Sequence, residues 1–328
     1  MKQTSLPYHN LCRITSGAIV ILIGAGALVT TTGSGLSVPD WPTTFGTFFP
    51  PFREWVHGVQ FEHTHRLIAG VISILTFISA GWVIRRDERR PVRQLAIVAV
   101  IALLAQALLG GMTVLLKLPP AVSVAHATLA QIFFSLMIAL AMATSSSWIE
   151  APRHPLNDHA RRIQVLSVVV TVCILLQLII GGVMRHLGAG LAIPDFPTSY
   201  GKLIPPYWNG LIAINFAHRV GALVILVVGT ALVVTVLKNS DEDPRLRVAA
   251  LRFGGLVLLQ IVLGAFTVWT MRSTIVTSVH VVNGALVLVS CVALALWAFR
   301  LYGRELSNSA VDETVSSTVS SPAWQAPR

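Results

Sequence analysis

Along this chain the charged side chains are gathered into short polar segments that separate long apolar runs. Residues 67–84, 94–116, 118–149, 163–184, 220–237, 253–271 and 273–299 contain no Asp, Glu, Lys or Arg. A helix needs about 20 mainly apolar residues to cross the hydrocarbon core of a bilayer, and each run meets or approaches that length. Residues 14–32 add one more run, too deep in the chain and followed by too many further spans to be a cleaved signal peptide. The pattern predicts an all-α membrane protein with eight transmembrane helices.

The pattern also occurs twice. Gly33-Ser-Gly-Leu-Ser-Val-Pro-Asp-Trp-Pro-Thr-Thr-Phe-Gly is matched by Gly188-Ala-Gly-Leu-Ala-Ile-Pro-Asp-Phe-Pro-Thr-Ser-Tyr-Gly, and each continues to a proline pair, Pro50-Pro51 and Pro205-Pro206. Gln106, Gly110, Thr113, Val114 and His126 return as Gln260, Gly264, Thr267, Val268 and His280, each 154 positions later, whereas the loop repeats at an offset of 155. Four helices per copy is an even number, so both copies keep the same orientation and are expected to be related by an axis along the membrane normal. The expected architecture is two pseudo-twofold-related four-helix bundles, residues 1–150 and 151–304, followed by a disordered cytoplasmic tail over 305–328. The two Gly/Pro-rich loops, about 33–57 and 188–210, are long for helix connections, and connections of that length tend to be functional.

Composition agrees with the pattern. Of 328 residues, 54% are hydrophobic and 12% charged, against roughly 25% charged in a soluble domain, so a soluble globule is excluded. The net charge of +10 raises nucleic acid as a partner, but basic residues at membrane edges set topology. With the N-terminus inside, seventeen Lys and Arg fall on the cytoplasmic side, including Arg85, Arg86, Arg89, Arg90 and Arg93, and seven fall outside: Arg53, Arg66, Lys117, Arg185, Lys202, Arg219 and Arg272. Both termini are therefore expected in the cytoplasm, with membrane lipid and no nucleic acid as surroundings. Cys12, Cys173 and Cys291 are placed for neither an outer-loop disulfide nor a zinc thiolate cluster. The segment before the first span lacks the character of an organelle transit peptide, which points to a bacterial inner membrane.

Chemistry enters with the histidines. His65, His126, His218 and His280 each lie near the outer start of an even-numbered span. An ionisable side chain inside a membrane helix is costly and faces the bundle interior with a partner. A lone one reads as a helix–helix hydrogen bond; two per bundle, at matched depth and duplicated, fit axial ligation of a haem in each half, with structural histidines and a proton relay as alternatives. Glu62 stands at i, i+3 from His65, on the same helix face, and the corresponding residue in the second half is Asn215. A carboxylate beside one site suits chemistry there, whereas a haem used for electron transfer needs none; the plainer reading of Glu62 is an ion pair with Arg66. Arg66 and Arg219 are candidates to hold haem propionates, because guanidinium pairs well with carboxylate. His63 has Phe216 as its counterpart and ranks below His65; His57 and His186 lie at the outer face.

The Gly-x-Gly-Leu-x-x-Pro-Asp-[Trp/Phe]-Pro loop in both halves, Glu62-x-x-His65-Arg66, and single histidines opening the later even-numbered spans together resemble the haem A synthase family over about residues 12–301. That resemblance implies oxidation of the C8 methyl of haem O to the formyl group of haem A, through an alcohol and a hydrated aldehyde, for cytochrome oxidase assembly. It further implies a haem b cofactor on His218 and His280, haem O received between His65 and His126, and Glu62 as the reactive-site carboxylate. Haem O synthase, cytochrome oxidase assembly factors and an electron donor are the implied partners. Some members carry a cysteine pair in the first outer loop; that loop has none here, so a mechanism relying on a loop thiol does not apply. The reading from another class is a b-type dihaem electron-transfer protein, against which the Glu62/Asn215 difference counts. A transporter built on a repeat accounts for the duplication but not for the four histidines.

Overall fold

A computed structural model describes residues 7–238 and 243–303; the tail expected over 305–328 lies outside them. The helices are α1 (Pro7–Thr31), α2 (Val59–Arg86), α3 (Arg90–Leu115), α4 (Pro120–Ala143), α5 (Ser146–Ile149), α6 (Asp158–His186), α7 (Gly210–Lys238), α8 (Pro244–Trp269) and α9 (Thr274–Leu301). All but α5 are long and apolar enough to cross a membrane, so the chain is a multi-pass membrane protein with the eight spans expected. The charge-free run 118–149 is not one helix, however: α4 ends at Ala143, and Ser145 accepts the Trp148 N–H to cap the single turn of α5.

Local chemistry sets the other boundaries. α3, α4 and α8 carry a proline in the first turn, where its missing N–H costs no helical bond. Asp243 caps α8 by accepting the Arg245 N–H at 2.8 Å, whereas α3 is capped by Arg89, whose N–H is held at 3.0 Å by Asp87 at the end of α2.

Within the first half α1 packs on α2, α2 on α3, α3 on α4 and α4 on α1; in the second half α6, α7, α8 and α9 close the same ring. α1, α4, α6 and α9 meet along the join between halves. Small side chains such as Ala80, Ala96, Ala250 and Ala298 are buried at the helix contacts, while Ile74, Phe77, Leu104, Leu223 and Leu258 point outward. This inversion is what lipid demands, since close backbone approach rather than burial of bulk drives association of helices in a bilayer. One core gathers around Ile72, Phe134 and Met137, the other around Leu232, Phe253 and Leu294; α9 contributes Ala285 and Val289 to the first and Val287, Leu288 and Cys291 to the second.

Candidate functional site

Each Gly/Pro-rich loop is organised by one aspartate. Asp40 accepts hydrogen bonds from the Phe45 N–H (2.8 Å), the Gly46 N–H (3.0 Å) and the Thr43 hydroxyl (2.5 Å). Asp195 accepts the equivalent set from Tyr200 (2.7 Å), Gly201 (2.9 Å) and Thr198 (2.5 Å). Burial opposes ionisation of Asp40, but these donors outweigh it and hold its carboxyl down at about 2; Asp195 is held low by the Gly201 N–H and the Thr198 hydroxyl. Three donors on one carboxylate stabilise its charged form. Trp41-Pro42 and Phe196-Pro197 are both cis, so the loops match in backbone as well as in sequence.

Arginines lock these loops onto the helices. Arg66 of α2 donates to the carbonyls of Asp40 (2.7 Å), Thr43 (2.5 Å) and Val38 (3.3 Å). Arg219 of α7 donates to those of Asp195 (2.8 Å), Thr198 (2.8 Å) and Ile193 (2.9 Å). The residue one turn earlier takes a fourth bond: Arg66 Nη2 to Glu62 Oε1 at 2.6 Å, and Arg219 Nε to Asn215 Oδ1 at 3.0 Å. Four of the five N–H donors of each guanidinium are therefore engaged within the protein, a loop-clamping role that sequence reasoning missed.

Glu62 and Asn215 are both buried, at 4% and 3% exposure, but they face their loops with opposite polarity. Glu62 Oε2 accepts the Val38 N–H at 3.0 Å. Asn215 Nδ2 donates to the carbonyls of Ala189 (2.8 Å) and Gly190 (3.2 Å). One site thus carries a fixed carboxylate and the other a neutral amide in the same structural place. The ion pair of Glu62 with Arg66 is present.

The four histidines share one packing arrangement. A Cβ built on Gly26 would lie 3.0 Å from His65 Cε1, on Gly110 3.0 Å from His126 Cε1, on Gly181 2.9 Å from His218 Cε1, and on Gly264 3.3 Å from His280 Cε1. Each imidazole therefore lies against the bare backbone of the neighbouring helix, in a cradle that any side chain would fill. Gly110 and Gly264 belong to the repeat already read from the sequence; Gly26 and Gly181 repeat at the loop's offset of 155 and were the signal available but unused. His65 lies within electrostatic range of His126, and His218 of His280, so each half brings its two expected ligands together.

Hydrogen bonds orient the rings differently in the two halves. His126 Nδ1 is 3.2 Å from the Gln106 carbonyl, so a proton on Nδ1 is held there and Nε2 is left as the basic nitrogen. In the second half amides do the orienting. Gln177 Nε2 sits 3.1 Å from His218 Nδ1 and donates to the His218 carbonyl at 2.7 Å. Gln260 Nε2 sits 3.4 Å from His280 Nε2 and donates to the His280 carbonyl at 3.1 Å, while its Oε1 accepts from Asn283 at 2.7 Å. The position matching Gln177 is Leu22.

His218 and His280 line a cavity of about 610 Å³, together with Gln177, Gln260, Phe196 and Arg219, within the roughly 300–1,000 Å³ typical of small-molecule and cofactor sites. α4 of the first half supplies part of its wall through Val124, Thr128 and Gln131. Two imidazoles lining one cavity, a mainly apolar wall, and His280 Nδ1 and Gln177 Oε1 buried without partners fit a planar group ligated by both histidines. Among the described residues there is no group of three or more His, Cys, Asp or Glu able to hold a metal ion by themselves. His63 is buried, with Nδ1 2.9 Å from the Thr44 hydroxyl and its ring edge-on to Trp55 at 4.8 Å; Phe216 and Trp208 form the matching pair at 5.4 Å. His57 is exposed and His186 half-buried.

Known proteins resemble the chain over most of its length. The model of the family COX15-CtaA, cytochrome oxidase assembly protein, matches residues 9–292. Proteins named Heme A synthase from Shouchella clausii (28% identical over 267 residues, 80% of this chain and 87% of that one) and Lysinibacillus sphaericus (28% over 272 residues, 81% and 86%) are similar to it. So is the Heme A synthase of Bacillus cereus, 29% identical over 276 residues, 82% and 86% of the two chains. The duplicated loops and histidine pairs fall inside the residues that the family model matches, and the chain belongs to the COX15-CtaA family of cytochrome oxidase assembly proteins, being, like these relatives, an enzyme.

Proposed function

We propose that this protein oxidises the C8 methyl group of haem O to a formyl group, giving haem A, with haem O bound between His65 and His126 and a resident haem b between His218 and His280. One observation carries the reading: two histidine-on-glycine sites of the same construction differ in a buried carboxylate, Glu62 against Asn215. Similarity to proteins named Heme A synthase supports the substrate. A resident haem b supplies one-electron transfer when bound. The expected setting is a bacterial inner membrane with both termini inside, haem O arriving from a haem O synthase and haem A passing to cytochrome oxidase assembly factors. Turning the methyl into the formyl group releases four electrons and adds one oxygen atom, so the reaction requires an external oxidant, O2 or an electron acceptor with water as the oxygen source; the separate electron donor serves where O2 is that oxidant.

The chain's own residues supply position and charge. His65 and His126 fix the plane of the substrate porphyrin, and the first loop, held down by Arg66, closes the outer end above it. Glu62, one turn before His65, is held in place by the 2.6 Å contact with Arg66 and by the Val38 N–H. Removing electrons and a proton from a methyl carbon builds positive charge there, which a fixed carboxylate in a low-dielectric site stabilises or relieves by taking the proton. Each guanidinium keeps one N–H beyond its four protein contacts, enough for Arg66 or Arg219 to touch a propionate.

Pigment analysis tests this. Full-length protein produced in cells that make haem O is expected to carry haem b together with haem O and haem A; haem b alone would establish the dihaem electron carrier instead. Glu62→Gln, which keeps size and removes charge, is expected to lower haem A yield by about 100-fold or more and to accumulate haem O or its alcohol, with haem b retained. Normal haem A yield from Glu62→Gln would reduce Glu62 to a loop tie.

A further inference from the structure

Two more arginines face the second cavity and have no counterpart in the first half. Arg185 and Arg272 both line the space that holds His218 and His280, and they lie within electrostatic range of each other. Among the described residues, the salt bridges are Arg66–Glu62, Arg89–Asp87 and Arg245–Asp243; neither cavity arginine takes part in one. Arg185 stands four residues, about one helical turn, beyond Gly181, the cradle of His218, towards the outer loop. It donates to the Ala27 carbonyl of α1 at 3.2 Å. Arg272 lies over the second loop, its Cδ 3.3 Å from where a Cβ on Gly190 would stand.

The first half holds the same backbone with different side chains. Leu118 corresponds to Arg272: both have a positive φ, 60° and 65°. Leu118 covers Gly35, the counterpart of Gly190, at 3.5 Å from its built Cβ. Thr30 corresponds to Arg185 and bonds to its own helix at the Gly26 carbonyl. Two cations have therefore been placed at the mouth of one site, and two neutral residues stand at the equivalent places of the other. Two like charges brought together without an anion disfavour each other; a ligand with carboxylates at one edge relieves that.

On the reading that the second half holds a resident haem, we infer that Arg185 and Arg272 bind its propionates and retain it, and that Thr30 and Leu118 leave the first site without this anchor, so that its haem can depart as product. Arg66 and Arg219 cannot divide the sites in this way, since both are present and equally committed to loop carbonyls. The charge difference at the mouth is what separates a cofactor site from a turnover site.

The test compares haem b with its dimethyl ester, which has the same ring and iron but no carboxylates. It uses the full-length chain carrying His126→Ala, so that one site reports, and follows haem loss to apomyoglobin. The parent is expected to hold haem b about tenfold longer than the ester, the scale of one or two charge-assisted hydrogen bonds. Arg185→Thr with Arg272→Leu, which install the first half's own residues, is expected to erase that difference while the loaded fraction keeps its low-spin bis-imidazole spectrum. Arg272→Lys is expected to preserve much of it. Equal loss of haem b and ester from the parent, or a difference that survives in the double variant, overturns the inference. A parent spectrum indifferent to His218→Ala and His280→Ala overturns instead the placement of the haem on which it rests.

Discussion

The two halves of this protein share a backbone plan and differ in the side chains that surround their histidine pairs. Both place two imidazoles against glycines, clamp a cis-proline loop with an arginine and organise that loop around an aspartate. They differ at Glu62/Asn215, His63/Phe216, Leu22/Gln177, Leu118/Arg272 and Thr30/Arg185. On the proposed reading, the shared set holds a flat ligand from both faces. The differing set lies around the histidine pairs and, on that reading, sets the charge the ligand meets.

The largest effect should come from removing ligands one half at a time. His218→Ala or His280→Ala is expected to abolish the resident low-spin haem spectrum of purified protein, whereas His65→Ala or His126→Ala is expected to leave that spectrum and stop haem A formation. If mutations in either half gave the same pigment loss, the division of labour between halves would be wrong.

Smaller, graded effects are expected from the cradles. Alanine at Gly181 brings a Cβ to 2.9 Å from the His218 ring, tighter than real contacts allow, whereas at Gly264 the figure is 3.3 Å for His280. Gly181→Ala should therefore shift or weaken haem ligation clearly, with Gly264→Ala the milder of the two, as read by the low-spin spectrum and haem content. Equal and negligible effects would show that the glycines serve helix packing alone.

The smallest effect concerns the loops. The Asp40 carboxyl is held at about 2, below its ordinary value of 3.8. A carboxyl with a depressed folded-state pKa contributes stability that is complete above the ordinary value and is lost as pH falls from there through about 2. Loop protection, followed by proteolysis or hydrogen exchange at Phe45 and Gly46, should be flat from neutral pH to about pH 4 and decline below it. Asp40→Asn should remove that decline and lower protection at neutral pH. An unchanged profile in the variant would place the loop's stability in the Arg66 clamp rather than in Asp40.

Much of this was legible in the chain itself. Eight spans followed from where charge is missing, because a bilayer core tolerates neither unpaired charge nor unbonded backbone, and the duplication followed from direct identity between the loops. His65, His126, His218 and His280 stood out because an ionisable group in such a span needs a reason. Arg66 and Arg219 were read towards a ligand, yet the structure directs most of their N–H groups to loop carbonyls. That outcome was not readable in advance, since carbonyls carry no residue-type signature. The run 118–149 hid a helix end at Ala143, because Thr144 and Ser145 are as uncharged as the span itself.

What the sequence determined by itself was therefore one-dimensional: which segments cross the membrane, that they do so twice over in the same pattern, and which side chains are too costly to be there idly. What only the tertiary structure decided was pairing across helices. His65 meets Gly26 and His218 meets Gly181 although 39 and 37 residues separate them; α4 walls a cavity of the other half; and Arg185 and Arg272, distant in the chain, face one space. Hydrophobic periodicity fixes that a helix forms and which stripe is apolar, but the crossing and rotation of two helices are set by packing of both surfaces at once, and that information belongs to neither segment alone.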